Sequence, residues 1–271
     1  MSRPDEFHRP ASESMKGVSE MTVPRSPDRR TNPRAYGVLP VRLRRSITKP
    51  VRTMRPWLYG PWPAALNGQR FRQNLFRSLV RELQPRAVFE SGTYCGGSTQ
   101  FLWHLSGAPV FTVEKNRGFA RCAAMRFRGN PEVRVLNEDS RDALRTLRDS
   151  ARFPRSRVLF YLDAHWEKDL PLREEVDIIT KTWTDSVIVI DDFKVPDDDG
   201  YEFDTYGDLQ LSMEYLGDTV APYDTFWPNC PSGMESGRRR GCVVLAAPGV
   251  AQQVSELPEV RRADALAVPE R

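Results

Sequence analysis

A glycine-rich stretch from Glu90 to Ser98 has the residue types of a turn that holds a nucleotide-like ligand. It runs Glu-Ser-Gly-Thr-Tyr-Cys-Gly-Gly-Ser, with an acid after a short apolar segment and a serine at the predicted N-cap of a helix. Glycines let the backbone approach a ligand, and a helix start offers unpaired N–H groups. Three residues separate Gly92 from Gly96, which disfavours the G-x-G-x-x-G turn of NAD-binding proteins. An ordinary turn that binds nothing is the alternative.

Acidic residues stand at the ends of all five predicted parallel strands. Ligands of open α/β sheets bind outside the carboxyl ends of the strands, so these side chains are predicted to share one cleft. Glu114 follows Glu90 by 24 residues, at the second-strand position where an acid accepts hydrogen bonds from ribose hydroxyl groups. The strand ends carry Glu90, Glu114, Glu138-Asp139-Ser140, Asp163 and Asp191-Asp192.

Three of these carboxylates, Asp163, Asp191 and Asp192, are candidate ligands for a divalent cation. Neighbouring strands lie ~4.8 Å apart, so adjacent fourth and fifth strands would bring the three side chains together. Carboxylates this close repel each other unless one is protonated or a cation joins them. A hard ion with oxygen ligands, above all Mg²⁺, would resolve the repulsion. Alternatively, Asp191 and Asp192 cap the next segment and Asp163 is an ordinary loop acid.

Two residues shortly after Asp163 are candidates for the base that deprotonates a substrate hydroxyl group. His165 could accept the proton or bind the metal, and Lys168 could serve instead if a nearby cation lowers its pKa. A loop histidine held by local hydrogen bonds is the alternative for His165. The arginine run 238–240 is interpreted as a solvated charge run, with a role toward an acidic substrate as the alternative.

The elements that must position these residues alternate between apolar strands and helices. Apolar residues at helical spacing predict a first helix over 68–83, and near-continuous apolar strands are typical of a parallel sheet covered on both faces. The pattern predicts an α/β, doubly wound Rossmann-like sheet. Strands are predicted at 87–90, 110–114, 133–136, 158–163, 187–191, 223–227 and 242–246, and helices at 98–105, 117–127, 141–147, 172–182 and 207–216.

The stretch from Glu90 to Ser98 resembles motif I of the class I S-adenosylmethionine-dependent methyltransferases. It is especially similar to the metal-dependent O-methyltransferases of the catechol and macrocin types, and the resemblance covers residues 68–248. It implies seven strands with the last one antiparallel in a terminal β-hairpin. It also implies that the acids after the fourth and fifth strands hold Mg²⁺, although the later Asn ligand of the catechol branch has no convincing counterpart here.

The same resemblance implies which residues bind S-adenosylmethionine. Glu114 would bind the ribose, and Asp139 and Ser140 would lie against the adenine. An N-cap role for Asp139 or Ser140 is the alternative. The implied cofactor-binding residues are Glu90, Gly92, Thr93, Tyr94, Gly96, Ser98, Glu114, Asp139 and Ser140.

Charge divides the 271-residue chain unevenly. Residues 1–55 contain 13 Lys and Arg against 5 Asp and Glu, and the remaining residues contain 27 against 31. The basic arm 1–50 lacks apolar periodicity and is expected to be disordered, either as a solvated tail or as a segment that contacts an anionic partner. An irregular aromatic and proline-rich lead-in (51–67), a methyltransferase domain (68–248) and a C-terminal tail (249–271) are predicted to follow.

Composition disfavours several classes of protein. No apolar run approaches the ~20 residues of a membrane span, and the chain shows no secretory signal. The part predicted to fold has no basic stripe interleaved with aromatic residues, so nucleic-acid binding is not predicted. Four cysteines without a C-x-x-C pair favour a reducing compartment, and we expect a cytoplasmic protein. The oligomeric state is left open, a homo-oligomer included.

Together these features predict a Mg²⁺-dependent O-methyltransferase that transfers a methyl group from S-adenosylmethionine to a hydroxyl of a small molecule. One alternative keeps the scaffold but is a cephalosporin-hydroxylase-like metal enzyme, which would depend on iron and consume oxygen. Another is a non-catalytic cofactor-binding or scaffold protein.

Overall fold

The computed structural model describes residues 65–164 and 169–263. The basic arm and most of the aromatic lead-in lie outside the described residues, and so do the two predicted bases, His165 and Lys168. Within the described ranges, no helix is both long enough and apolar enough to cross a membrane.

Within the described residues, one mixed sheet of eight strands forms the core. The strands of this part of the chain, in order, are β1 (Ala87–Ser91), β2 (Val110–Val113), β3 (Val133–Leu136), β4 (Val158–Leu162), β5 (Ser186–Asp191), β6 (Thr205–Tyr206), β7 (Leu209–Gln210), β8 (Asp224–Pro228), β9 (Cys242–Ala246) and β10 (Val260–Arg262). The main sheet has the order β3-β2-β1-β4-β5-β9-β8-β10, and β6 pairs with β7 in a separate hairpin. Strands β1 to β5 are parallel, whereas β9 runs antiparallel between β5 and β8, and β10 is antiparallel to β8.

Helices cover both faces of this sheet. They are α1 (Arg70–Leu83), α2 (Gly97–Ser106), α3 (Arg117–Arg126), α4 (Ser140–Asp149), α5 (Leu172–Thr182), α6 (Met213–Leu216) and α7 (Pro248–Ser255). Parallel crossovers are right-handed. The helices that follow β1 and β2 therefore lie on one face, and those that follow β3 and β4 lie on the other. Strands β1, β4 and β5 are consequently buried along their whole lengths.

The strand order reverses direction next to β1. From β1 the chain moves to β2 and β3 on one side, then returns to β4 and β5 on the other. The crevice at the carboxyl ends of β1 and β4 is therefore the topological switch point, where ligands bind in open α/β sheets.

The structure confirms the predicted α/β class but corrects the strand count from seven to eight. The region 249–271, predicted to be a tail, contributes α7 and the short strand β10. Strand β10 is only three residues long and two of them are arginines, so it lacks an apolar pattern that sequence could reveal. The predicted helix over 207–216 is also too long: β7 occupies Leu209–Gln210, and α6 begins at Met213.

Candidate functional site

The turn after β1 depends on two glycines in the left-handed region. Gly92 has a φ of +85° and Gly96 a φ of +79°. A Cβ atom at Gly92 would lie 2.2 Å from the backbone oxygen of Asp163, so a side chain would push this turn away from the end of β4. Helix α2 begins directly after Gly96, which brings no side chain to its first N–H groups. The turn and a helix N-terminus therefore meet at the switch point.

Ser98 does not cap α2 as predicted. The N-cap is Gly96, because a left-handed glycine already brings the chain into the helix before Ser98 is reached. The Ser98 Oγ instead accepts a hydrogen bond of 3.4 Å from the N–H of Leu66.

Glu90 is buried and ties three elements together. Its Oε2 accepts hydrogen bonds from the hydroxyl of Thr112 on β2, at 2.6 Å, and from the hydroxyl of Thr99 on α2. Burial raises the pKa of Glu90 to about 7, although both threonine hydroxyls stabilise its charged form. Thr93 shares the cluster through a 2.5 Å hydrogen bond with Thr112.

Glu114 lies directly beside the glycine turn. Its Oε2 accepts the N–H of Tyr94 at 2.8 Å, and its Oε1 accepts the N–H of Asn116 at 2.8 Å. Burial raises the pKa of Glu114, and the two backbone N–H groups oppose that shift. The Tyr94 ring lies 4.2 Å from the ring of Phe119. The structure thus brings Glu114 and Tyr94 together at the predicted ligand turn.

Asp139 has the N-cap role that was the alternative for it. Its Oδ1 accepts the backbone N–H of Arg141 at 3.1 Å, at the start of α4. The Arg141 guanidinium (2.7 Å) and the Lys115 ammonium (3.0 Å) also contact its Oδ2. The hydrogen bonds from Arg141 hold the pKa of Asp139 well below its usual range. Ser140 is the buried first residue of α4.

The three predicted metal ligands converge at the ends of β4 and β5. These strands are paired up to Leu162 and Ile190, so Asp163 and Asp191 are the next residues in register. The Tyr161 hydroxyl spans both carboxylates, at 2.7 Å from Asp191 Oδ2 and 3.4 Å from Asp163 Oδ2. Burial raises the pKa of Asp163 well above its ordinary value, and the charges of Asp191 and Asp192 add to this.

Asp191 is fully buried and is held by three donors from other elements. The guanidinium of Arg72 on α1 donates to Oδ1, and the Arg72 side chain is only 2% exposed. The Tyr161 hydroxyl and the Asn67 amide, at 3.2 Å, donate to Oδ2. Burial disfavours the charged form of Arg72, but the adjacent Asp191 outweighs this and raises the arginine's pKa.

Asp192 contacts a second arginine. Its Oδ1 accepts a hydrogen bond of 2.5 Å from the Nε–H group of Arg240, and the same guanidinium contacts Asp204. The Arg240 side chain is 15% exposed. The interpretation of 238–240 as a solvated run is therefore wrong for Arg240, although Arg238 and Arg239 are exposed.

These carboxylates do not have the arrangement of a metal site. Among the described residues, no group of three or more His, Cys, Asp or Glu side chains could hold a metal ion. Both oxygens of Asp191 face protein donors, and one donor is a cation that would repel Mg²⁺. The residues therefore do not fit an ion held jointly by Asp163, Asp191 and Asp192.

Sequence reasoning missed Asn67 and Arg72 as parts of this cluster. One available signal was the position of Arg72 on α1. Leu75, Phe76 and Leu79 follow it at helical spacing and are buried, so the periodicity places an arginine on the apolar face. A charge on that face requires a partner.

Comparison with known proteins shows similarity in structure rather than in sequence. No protein-family model and no curated protein matches the chain. An O-methyltransferase from Bacillus cereus, solved in complex with SAH, is similar with a TM-score of 0.51 and 18% identity over 72% of this chain and 88% of that one. TomG from Streptomyces achromogenes, an O-methyltransferase involved in tomaymycin synthesis and solved with SAM, gives 0.50 and 19% over 73% and 87%. The chain therefore shares the fold of these two O-methyltransferases, as the resemblance over residues 68–248 implied.

Proposed function

We propose that this chain is an S-adenosylmethionine-dependent O-methyltransferase whose acceptor is a hydroxyl group of a small molecule. The observation that carries the proposal is the position of the glycine turn. It joins β1 to α2 at the switch point, in a fold shared with O-methyltransferases that were solved with SAH or SAM. Glu114, hydrogen-bonded to the same turn, supplies an acid at the end of β2.

The glycine turn and Glu114 are proposed to hold the cofactor. Each carboxylate oxygen of Glu114 accepts one backbone N–H, and such an oxygen can accept a second hydrogen bond, here from a ribose hydroxyl. The backbone at Gly92 and Gly96, with Thr93, Tyr94 and Ser98, would lie along the ligand, and buried Glu90 would fix the turn. Asp139 and Ser140 are proposed to border the adenine. When bound, S-adenosylmethionine supplies an electrophilic methyl group on sulfur.

The acceptor hydroxyl must lose its proton to the protein during transfer. His165 and Lys168 remain the predicted bases, since they follow Asp163 by two and five residues in the sequence. The chain would contribute mainly by holding the acceptor oxygen in line with the methyl carbon and sulfur, because correct orientation can lower a barrier by about 7–11 kcal/mol.

The sequence suggested a dependence on Mg²⁺ with Asp163, Asp191 and Asp192 as its ligands, and this dependence is not part of the proposed function. The ion pairs of Asp191 and Asp192 with arginine weigh against it. No step of the proposed transfer is therefore assigned to a metal.

Calorimetry with SAH tests the cofactor site. We expect the full-length chain to bind SAH, and Glu114→Ala to weaken binding roughly tenfold to a hundredfold, because hydrogen bonds to a charged group are lost. Glu132→Ala, at an exposed acid elsewhere, should bind as the wild type does. An unchanged affinity in Glu114→Ala would contradict the proposed site.

Transfer of labelled methyl from S-adenosylmethionine to a panel of phenols, sugars and polyketides tests the activity. Methylation of an acceptor at oxygen supports the proposal. Binding of SAH without methylation of any acceptor would favour the non-catalytic alternative.

A further inference from the structure

Two of the three acids at the ends of β4 and β5, Asp191 and Asp192, form ion pairs with arginines from outside these strands. Arg72 of α1 contacts Asp191, and Arg240, just before β9, contacts Asp192 at 2.5 Å. Both guanidinium groups are largely removed from water, with exposures of 2% and 15%. Two fixed positive charges therefore lie where the sequence predicted one divalent cation.

The two arginines belong to one connected arrangement. Nη2 of Arg72 donates to the backbone oxygen of Arg240 at 2.7 Å, and the Gln69 amide donates to the same oxygen at 2.9 Å. The N–H of Arg240 donates back to Gln69 Oε1 at 3.2 Å. The start of α1 thereby fixes the backbone that presents Arg240 to Asp192. This is a built cluster rather than a chance pair of surface contacts.

We infer that Arg72 and Arg240 take the place of a divalent cation in this cluster, which is therefore complete without metal. A guanidinium is charged at every physiological pH and matches carboxylate geometry. Being covalently attached, it cannot be removed by a chelator. The inference deepens the proposed function, and its catalytic consequence, methyl transfer without a metal, rests on that function. The pairing of Arg72 and Arg240 with the two acids does not depend on the proposed function.

Metal titration of the EDTA-treated full-length chain tests the inference directly. Bound Mn²⁺ is measured by electron paramagnetic resonance, and the melting temperature is measured with Mn²⁺, Mg²⁺ or EDTA. We expect no stoichiometric Mn²⁺ binding and no change in melting temperature. One Mn²⁺ per chain that is lost in Asp191→Asn would overturn the inference.

A pair of neighbouring arginine variants tests whether the guanidinium occupies a cation's place. Arg240→Leu removes the cation that contacts Asp192 and Asp204. We expect a lower melting temperature that Mn²⁺ or Mg²⁺ raises again, and Mn²⁺ binding where the wild type shows none, because the guanidinium no longer repels the metal ion and the carboxylates still attract it. Arg238→Leu, at an exposed arginine, should match the wild type. If divalent cations affect both variants alike, the inference fails.

Calorimetry with SAH on the same samples separates this inference from the proposed function. A chain that binds neither SAH nor Mn²⁺ refutes the proposed function and leaves the charge assignment standing. A chain that binds SAH and one specific Mn²⁺ refutes the charge assignment alone.

Discussion

Arg72 lies on the face of α1 that otherwise carries buried apolar residues. Its charge is tolerated there because Asp191, also buried, lies against it. Removing both ions from water costs free energy that their attraction offsets only in part, so the net contribution of such a pair to stability is small. Losing one partner leaves the other charge buried and uncompensated, which is far more costly.

The variant Arg72→Met should therefore lower the free energy of unfolding by about 3–5 kcal/mol. Adding Asp191→Leu should recover part of that loss, because the uncompensated carboxylate is then gone. Urea denaturation of the single and double variants measures both effects. Arg81→Met, at an exposed arginine of the same helix, is the control. A loss in Arg72→Met no larger than in Arg81→Met would show that the pair is dispensable.

Glu90 makes stability depend on pH in a direction unusual for an acid. Burial raises its pKa from 4.5 to about 7, so the folded state keeps a proton that the unfolded chain releases at lower pH. The free energy of unfolding should therefore fall as pH rises through this window, by about 3 kcal/mol from this group.

The variant Glu90→Gln lacks this titration and should gain stability relative to the wild type as the pH is raised from 4.5 to 7.5. Urea denaturation across that range measures the difference between the two curves. Glu132→Gln, at an exposed position, should run parallel to the wild type. Parallel curves for Glu90→Gln would mean that Glu90 titrates alike in the folded and unfolded chain.

At the scale of elements, the β1–α2 turn can lie close to the end of β4 because Gly92 has no side chain. Gly92, directly after β1, and Gly107, the C-cap of α2, both have positive φ. Only Gly92 faces a neighbour: a Cβ there would meet the Asp163 backbone, whereas a Cβ at Gly107 would have nothing within 4 Å. The pair therefore separates the effect of backbone conformation from that of close approach.

We expect Gly107→Ala to cost about 1–2 kcal/mol, which is the penalty of a left-handed alanine. Gly92→Ala should cost more and should also weaken SAH binding, because the turn must move away from β4. Denaturation and calorimetry on both variants measure these effects. Equal losses in the two variants, with SAH binding intact, would contradict the importance of the close approach.

At the scale of the whole molecule, the parallel half of the sheet was predictable from sequence. Strands β1, β2, β4 and β5 are near-continuous apolar runs, because both faces are covered, and a helix follows each of β1 to β4. The edge of the sheet was not predictable, since β10 owes its place to pairing with β8 and not to an apolar pattern.

The candidate site was predictable only in part, for a related reason. Parallel strands bring their carboxyl ends to one edge, so the convergence of Asp163 with Asp191 followed from sequence order. The partners of these acids did not, because Arg72 lies 119 residues before Asp191 and no local pattern links them. Charge balance within a buried cluster is a property of the assembled fold.

The placement of β9 also has a consequence for synthesis on the ribosome. This strand fills the gap between β5 and β8 although it follows both in the chain. Until residues 242–246 emerge, a nascent polypeptide presents the apolar strand β5 with an unpaired backbone edge, a template for association with other chains. A translation product that ends before Cys242 should therefore aggregate or require a chaperone.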